Sequence, residues 1–364
     1  MRLSRTLSAY IGRQFLYWFG CVFLSLMALV FVFDLIELLR RVAGRTEAGF
    51  GLVIQLALLK LPTMAQTLLP FAILFGTMLT YWRLTRSQEL VVVRAAGVSV
   101  WQFLLPALIA ASLIGVVRTT LFNPLSSVLT QRFEQLEAQA FRGRTSLLAV
   151  SESGVWLRQS NERGQSILHA QGVSQQHMEL IDVTVFLYEG LDRYAGRIDA
   201  ASAQLEAGEW AIRDATVSMG DRPPVREPLV RLATDLTVET IQDSFAAPET
   251  MSFWELPAFI EVLEKAGFPA ARHRLYFHGL LAAPVMLCAM VLIAASFSLR
   301  MVRRGGTMAV AGAGVFAGFL VYFASDIIFA LGLSGRLPVE LAAWTPATIS
   351  MLLGLAMLLH LEDG

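Results

Sequence analysis

Lysine, cysteine and charge are scarce in this chain of 364 residues. Lys60 and Lys265 are its only lysines. A phosphate-cradling loop ends in Gly-Lys-Ser/Thr, where the lysine reaches the phosphates and the hydroxyl holds magnesium. Lys60 is followed by Leu61 and Lys265 by Ala266, so ATP hydrolysis by that route is excluded. The two cysteines, Cys21 and Cys288, both fall in apolar runs. They read as small core residues, not as a disulfide framework or a metal site. HExxH and Gly-x-Ser-x-Gly are both missing, which weakens any enzymatic reading. His273 and His278 stand beside an apolar run and read as interfacial side chains. Charged residues make up 16% of the chain and apolar residues 55%, which rules out an ordinary soluble protein.

The zero net charge conceals a division. From Arg118 to His278 there are 15 basic and 21 acidic side chains, and the remainder has 14 and 8. The apolar part is basic and the polar part mildly acidic, so there is no nucleic-acid footprint.

A membrane-spanning helix needs about 20 largely apolar residues. Six stretches qualify: Phe15 to Phe33, Leu61 to Trp82, Ala95 to Val117, Gly279 to Leu299, Gly305 to Ser325 and Leu341 to Leu359. The first is too long, and lacks the small-residue cleavage site, to be a signal peptide. Backbone groups in lipid must be satisfied within the segment, so these are helices. If six helices alternate, Arg2, Arg5, Arg13, Arg83, Arg86, Arg94, Arg300, Arg303 and Arg304 share one side. Only Arg40, Arg41, Arg45 and Arg336 lie in short segments on the other. The positive-inside rule then puts both termini in the cytoplasm.

Between the third and fourth spans the period changes. Val183, Val185 and Leu187 alternate with Thr184, Phe186 and Tyr188, and Trp210 and Ile212 with Ala211 and Arg213. Turn pairs such as Glu189–Gly190 and Ala207–Gly208 punctuate the region. The pattern predicts an all-β sandwich or jelly roll outside the cytoplasm. The expected plan is therefore a six-helix polytopic membrane protein with an inserted β domain. Residues 1–117 hold spans one to three, 118–251 the β domain, 252–278 an amphipathic connecting helix and 279–364 spans four to six.

Three places carry possible function. The first is Arg83 to Val100, RLTRSQELVVVRAAGVSV, between spans two and three. As one helix it places Leu84, Val91, Ala95 and Val98 on one stripe and Glu89 on the opposite face. Thr85 and Gln88 have capping-box spacing. Such an element offers its polar face to a cytoplasmic partner; the plainer alternative is a basic loop that only sets topology. The second is the small-residue run of span five, with Gly314 and Gly318 forming GxxxG. It serves either static intrachain packing or a face that opens against a partner subunit, with Gly305–Gly306 as a flexible entry. The third is the outer end of span one, Asp34, Glu37, Arg40 and Arg41. It is either a solvated helix end with Glu37 and Arg41 paired at i,i+4, or a place where arginine forks meet lipid phosphates. Asp326, near the expected outer end of span five, is a gate residue or an interfacial one.

These residues, in this order, resemble a known family. Three spans, an external β domain and three spans accompany Ser87-Gln-Glu89-Leu90-Val-Val-Val-Arg94-Ala-Ala-Gly97, with Leu61-Pro62 and Leu69-Pro70 inside span two. The chain resembles the lipopolysaccharide-export permeases of the LptF/LptG family over essentially its full length. Glu152-Ser-Gly-Val-Trp156, and the stretch from Gly318 through Gly332-Leu-Ser-Gly335 to Ala343-Trp344-x-Pro346, look more like the LptG branch.

The resemblance implies a mechanism. Two such permeases, this one and an LptF-like paralogue, enclose a cavity open to the outer leaflet of the inner membrane. Lipopolysaccharide enters between span one of one subunit and span five of the other, which makes Phe31, Gly314, Gly318 and Asp326 lateral-gate candidates. An LptB-like ATPase dimer beneath binds the ATP and magnesium, and no cofactor is expected in this chain. The family's docking acid is matched by Glu89, with Arg86, Leu90, Arg94 and Gly97 around it. An LptC-like protein associates with the complex and modulates it, and the lipid leaves through the β domain onto an LptA-like periplasmic bridge. The family's basic pair is matched by Arg40 and Arg41. Where some members place a lysine this chain has Asp34, a departure for which Lys60 is a candidate substitute. Two other classes compete. Permeases that release lipoproteins place their external domain after span one, unlike this chain. A membrane sensor or scaffold needs no acid on a cytoplasmic helix.

Overall fold

The computed structural model describes residues 5–42, 50–137, 148–151, 154–161, 164–174, 179–189, 193–220, 223–234, 236–237, 246–299 and 307–363. The helices are α1 Arg5–Val42, α2 Phe50–Arg86, α3 Glu89–Ala95, α4 Val100–Val117, α5 Asn123–Glu137, α6 Leu256–Lys265, α7 Ala271–Ser298, α8 Thr307–Leu333 and α9 Val339–Asp363. Among the described residues six helical stretches are long and apolar enough to cross a membrane, so this is a multi-pass membrane protein. Spans one to six are α1, α2, α4 with α5, α7, α8 and α9. The chain divides into two units.

The helical unit contains all six spans. Its core runs through Ile11 and Phe15 of α1, Ile73, Leu74 and Tyr81 of α2, Phe103 and Leu104 of α4, and Val291 to Ala295 of α7. Several helices run past their apolar stretches. Span one begins at Arg5 and reaches Val42, because its amphipathic ends add turns to the apolar centre. Pro62 and Pro70 lie inside α2, each removing one backbone donor.

Span three departs most from expectation. The β domain was expected from residue 118, but the helix continues through a π turn, Arg118–Phe122, into α5 and ends at Glu137. Hydroxyls make this polar stretch compatible with a helix. Thr120 Oγ1 donates to Val116 O at 2.9 Å and Thr130 Oγ1 to Ser126 O at 2.9 Å. The π turn is held sideways: Thr119 Oγ1 donates to Leu280 O at 2.9 Å, and Asn123 Nδ2 to Tyr276 Oη at 3.1 Å. Asn123 Oδ1 also accepts from Phe253 N at 2.7 Å.

The second unit is the β domain, Ala138–Met251 with Glu255–His273. Strands β1 Leu148–Ser151, β2 Gly154–Asn161, β3 Gly164–Ser174, β4 Glu179–Glu189, β5 Arg193–Glu206, β6 Glu209–Met219 and β7 Val225–Ala233 form one antiparallel sheet in chain order. The all-β expectation holds. Among the described residues there is one meandering sheet, where a sandwich needs two stacked ones. Its buried face presents Val155, Leu168, Val183, Val185, Ile198, Trp210 and Ile212. Leu263 and Phe268, from α6 and the turn after it, pack into that cluster, so a helix does part of the work of a second sheet. The connecting helix is shorter than 252–278: α6 ends at Lys265 and span four starts at Ala271. His273 belongs to this unit's packing, with Nε2 3.1 Å from Ala246 O and its ring against Phe259.

Candidate functional site: the short helix between spans two and three and the C-terminal end of span one

The expected single helix over Arg83 to Val100 is broken. Span two carries Arg83 and Arg86 to its end, Ser87 and Gln88 turn, and α3 starts at Glu89. Gln88 sits in the left-handed region with φ 63° and makes no side-chain cap. The capping box does not form: Thr85 Oγ1 donates back to Tyr81 O at 2.7 Å, inside α2. The stripe of Leu84, Val91, Ala95 and Val98 therefore does not share one helix face. Leu84 and Leu90 are buried, while Val91 and Val92 are exposed. Leu90 is the anchor that seats α3 on the membrane core.

Behind α3 the chain reverses through a Schellman turn. Val98 N donates to Val93 O at 3.3 Å and Gly97 N to Arg94 O at 2.9 Å. Gly97 takes φ +80°, a conformation that side chains disfavour. The glycine of the motif thus ends one helix so that α4 can begin at Val100.

Glu89 lies in the first turn of α3, where a carboxylate suits the positive end of the helix dipole. It is half-buried and accepts from Ser87 Oγ at 2.8 Å. Arg86 is exposed and stacks over Trp82, 5.4 Å from the ring centroid; Arg94 is exposed in the last turn. Gln14 and Trp18 of span one, which meet Arg83, were missed in the sequence. The available signal was the spacing of Tyr10, Gln14 and Trp18, one helix face of polar and aromatic residues.

At the outer end of span one, the expected Glu37–Arg41 pair is present, Nε to Oε1 at 3.1 Å, and Arg40 Nη2 binds the other oxygen at 2.9 Å. Arg41 Nη1 is also 3.8 Å from Glu137 of α5. Both arginine side chains stay open to the surroundings, at 79% and 54% exposure, so their remaining donors are available to an anion. Asp34 and Lys60 are brought together: Lys60 Nζ donates to Asp34 Oδ1, joining spans one and two. Asp34 is 8% exposed and Lys60 38%. The ammonium also lies 6.0 Å from the centre of the Phe133 ring.

The gate candidates separate. Gly314 and Gly318 do not face a partner: a Cβ at these positions would stand 2.7 Å from Met78 Cε and 2.4 Å from Leu74 Cδ2. Their lack of side chain lets span five lie against span two of the same chain. Span five instead turns outward Phe316, Phe319, Leu320, Phe323 and Ile327, spaced as one helix face. Span one does the same with Leu29, Val32, Phe33 and Ile36, while Phe31 is half-buried. Asp326 is exposed and lies within span five rather than at its end, because α8 runs on to Leu333. Gly305–Gly306, Arg2, Arg45, Arg300, Arg303 and Arg304 lie outside the described residues.

Against known sequences, residues 9–360 match the family described as lipopolysaccharide export system permease LptF/LptG. The chain belongs to that family. It is 25% identical to the lipopolysaccharide export system permease protein LptG of Haemophilus influenzae over 358 residues, 95% of this chain and 96% of that protein. It is 22% identical to LptG of Escherichia coli strain K12 over 363 residues, 97% of this chain and 98% of that protein. Membership extends over both units, the helical one and the β domain. The six spans and the inserted sheet are thus those of a member of an export permease family.

Proposed function

We propose that this chain is the LptG-like half of a permease pair that lifts lipopolysaccharide from the outer leaflet of the inner membrane. An LptF-like paralogue completes the cavity. An LptB-like ATPase dimer, which holds the ATP and magnesium, binds beneath α3 on the cytoplasmic side, where both termini also lie. The β domain is periplasmic and hands the lipid to an LptC-like protein and an LptA-like bridge. This chain performs no covalent chemistry; it supplies a path and converts a stroke delivered from below into movement of its spans.

The observation that carries the reading is the construction of α3. Leu90 is rooted in the membrane core, so force on α3 reaches the spans. Glu89 offers a carboxylate in the helix's first turn, and Val91 and Val92 beside it are apolar and uncovered. A carboxylate beside exposed apolar side chains is what a protein groove lined with a basic residue accepts. At the other end, Arg40 and Arg41 supply forks for the phosphates of the lipid. The outward aromatic face of span five and the apolar face of span one fit acyl chains or the facing subunit. Two relatives that carry the LptG name support the LptG side of the pair.

Co-purification in mild detergent tests the reading, with subunits and bound lipid identified by mass spectrometry. The ATPase subunit is expected to come down with the unmodified chain and to be lost with Glu89→Ala. An association unchanged by Glu89→Ala, or ATP turnover by this chain alone, overturns the reading.

A further inference from the structure

Span three carries an arginine that no acid among the described residues neutralises. From Val100 to Val117 the span has no charged residue, and Arg118 follows as the first residue of the π turn Arg118–Phe122. We propose that Arg118, with Trp254 bonded to the same turn, binds the phosphate of a membrane lipid at the end of span three that leads into the β domain. The site stands apart from the docking and export readings and needs only that span three crosses a membrane.

The arginine is held at its base and open at its tip. Arg118 Nε is buried and has no hydrogen-bond partner among the described residues. The residue as a whole is half-buried, so the Nη groups at the end of the side chain stay open. A charge within a membrane span is costly and is ordinarily met by another charge or by backbone carbonyls. Arg118 differs in this from Arg40 and Arg41, both of which bind Glu37. Its counter-charge therefore comes from outside the chain. The backbone beneath it, by contrast, is fixed on two sides. Trp254 Nε1 donates to Thr120 O at 3.1 Å, Phe253 N donates to Asn123 Oδ1 at 2.7 Å, and Thr119 Oγ1 donates to Leu280 O of span four at 2.9 Å. Phe253 also stacks on Phe277 of span four, with ring centroids 5.3 Å apart. A π turn so anchored, in a class of turn that recurs at functional sites, presents Arg118 from a rigid mount.

Depth and surroundings select a lipid phosphate. The 18 residues of α4 rise about 27 Å, close to the roughly 30 Å of a bilayer's hydrocarbon core. A helix that crosses from Val100 therefore delivers Arg118 at the far headgroup boundary. Trp254 is 64% exposed with its indole nitrogen on the turn, and tryptophan favours that boundary because its ring is apolar and its N–H polar. Val117 and Leu121, on either side of Arg118 in the chain, are exposed and apolar, as contact with lipid tails requires. The anion present at this depth is the phosphate of a lipid headgroup. A planar guanidinium meets it with two parallel bonds.

The test uses the full chain with its co-purifying subunits, in mild detergent stripped of lipid. Phosphatidylglycerol, lipopolysaccharide or diacylglycerol, which has tails and no phosphate, is titrated in. Melting temperature and the number of lipids kept in native mass spectra are read for the unmodified chain, Arg118→Gln and Arg118→Lys. A phosphate-bearing lipid is expected to raise the melting temperature of the unmodified chain, and diacylglycerol to leave it in place. Without lipid, Arg118→Gln is expected to melt no lower than the unmodified chain, because it removes an unpaired charge. With lipid it is expected to bind roughly tenfold more weakly, in line with loss of one charge-assisted contact, and to keep one lipid fewer. Arg118→Lys keeps the charge without the fork and is expected to fall between the two. Stabilisation by lipopolysaccharide alone assigns the phosphate to that lipid, and stabilisation by phosphatidylglycerol assigns it to the surrounding bilayer. Equal binding of both phosphate-bearing lipids by Arg118→Gln and the unmodified chain overturns the site. So does a lower melting temperature of Arg118→Gln without lipid, or loss of a co-purifying subunit there, because a protein group would then be the arginine's partner.

Discussion

At its N-terminal end span one is held by the amide of Gln14 and the ring of Trp18 against Arg83 at the end of span two. At its outer end it is held by charge: Asp34 to Lys60 across to span two, and Glu37 to Arg40 and Arg41 along its own surface. Between the two, no residue of its most apolar stretch is fully buried by the rest of the chain. Directional bonds at the inner end suit the transfer of movement, because they define one geometry. Ion pairs at the outer end tolerate changes of angle and leave donors free for an anion. One helix is thus fastened by directional bonds at one end and by ion pairs at the other.

The largest effect is expected where span one presses against span two. A Cβ at Gly76 would stand 2.8 Å from Phe19 Cα, which is backbone and cannot step aside. Gly76→Val should cost about 1–3 kcal/mol or more by overpacking, seen as a lower melting temperature in detergent. It would loosen both ends together and so erase the contrast between them.

Next comes the outer pair. Lys60→Met strands a nearly buried carboxylate, which costs about 3 kcal/mol in a well-buried site and less here because Lys60 is partly open. Exchanging the two, Asp34→Lys with Lys60→Asp, should restore most of the melting temperature in nanodiscs. A double variant no better than the single one would mean that charge pairing is not what fastens this end.

A smaller effect on stability, with a larger one on assembly, is expected of Phe323→Ala. The side chain is exposed on the outward face of span five, so melting should hold while retention of the paralogous subunit falls. Smallest of all in stability is Arg41→Gln. Exposed ion pairs contribute about 0–1 kcal/mol, so melting should barely move. Photo-crosslinking of lipopolysaccharide at span one should nevertheless drop, and drop further with Arg40→Glu and Arg41→Glu together. Unchanged crosslinking in that double variant would remove the lipid contact from the outer end.

Much of this could be read from the chain. The six apolar runs became six spans, and the alternation of Val183 and Val185 with Thr184 and Phe186 became a strand with one buried face. Glu37 and Arg41 paired because four residues is about one helical turn. What failed to read is equally physical. Helix was expected to stop at Val117 because charge and hydroxyls follow, yet it runs on through a π turn to Glu137, with the Thr120 and Thr130 hydroxyls turned back onto carbonyls of their own helix. The GxxxG of span five announced close packing without saying against what, and Leu74 and Met78 of the same chain took the place assigned to a partner. One left-handed residue, Gln88, rotated α3 against span two and dissolved the predicted stripe.

The sequence by itself determined the number of spans, the presence of an inserted β domain and the family, since each follows from local composition, period or motif. Only the tertiary structure decided which residues meet. Asp34 finds Lys60 and Gln14 finds Arg83 across a helix interface. Pairing at that range depends on how two helices are rotated about their axes. That rotation is set by the sum of many side-chain contacts and is written at no single position.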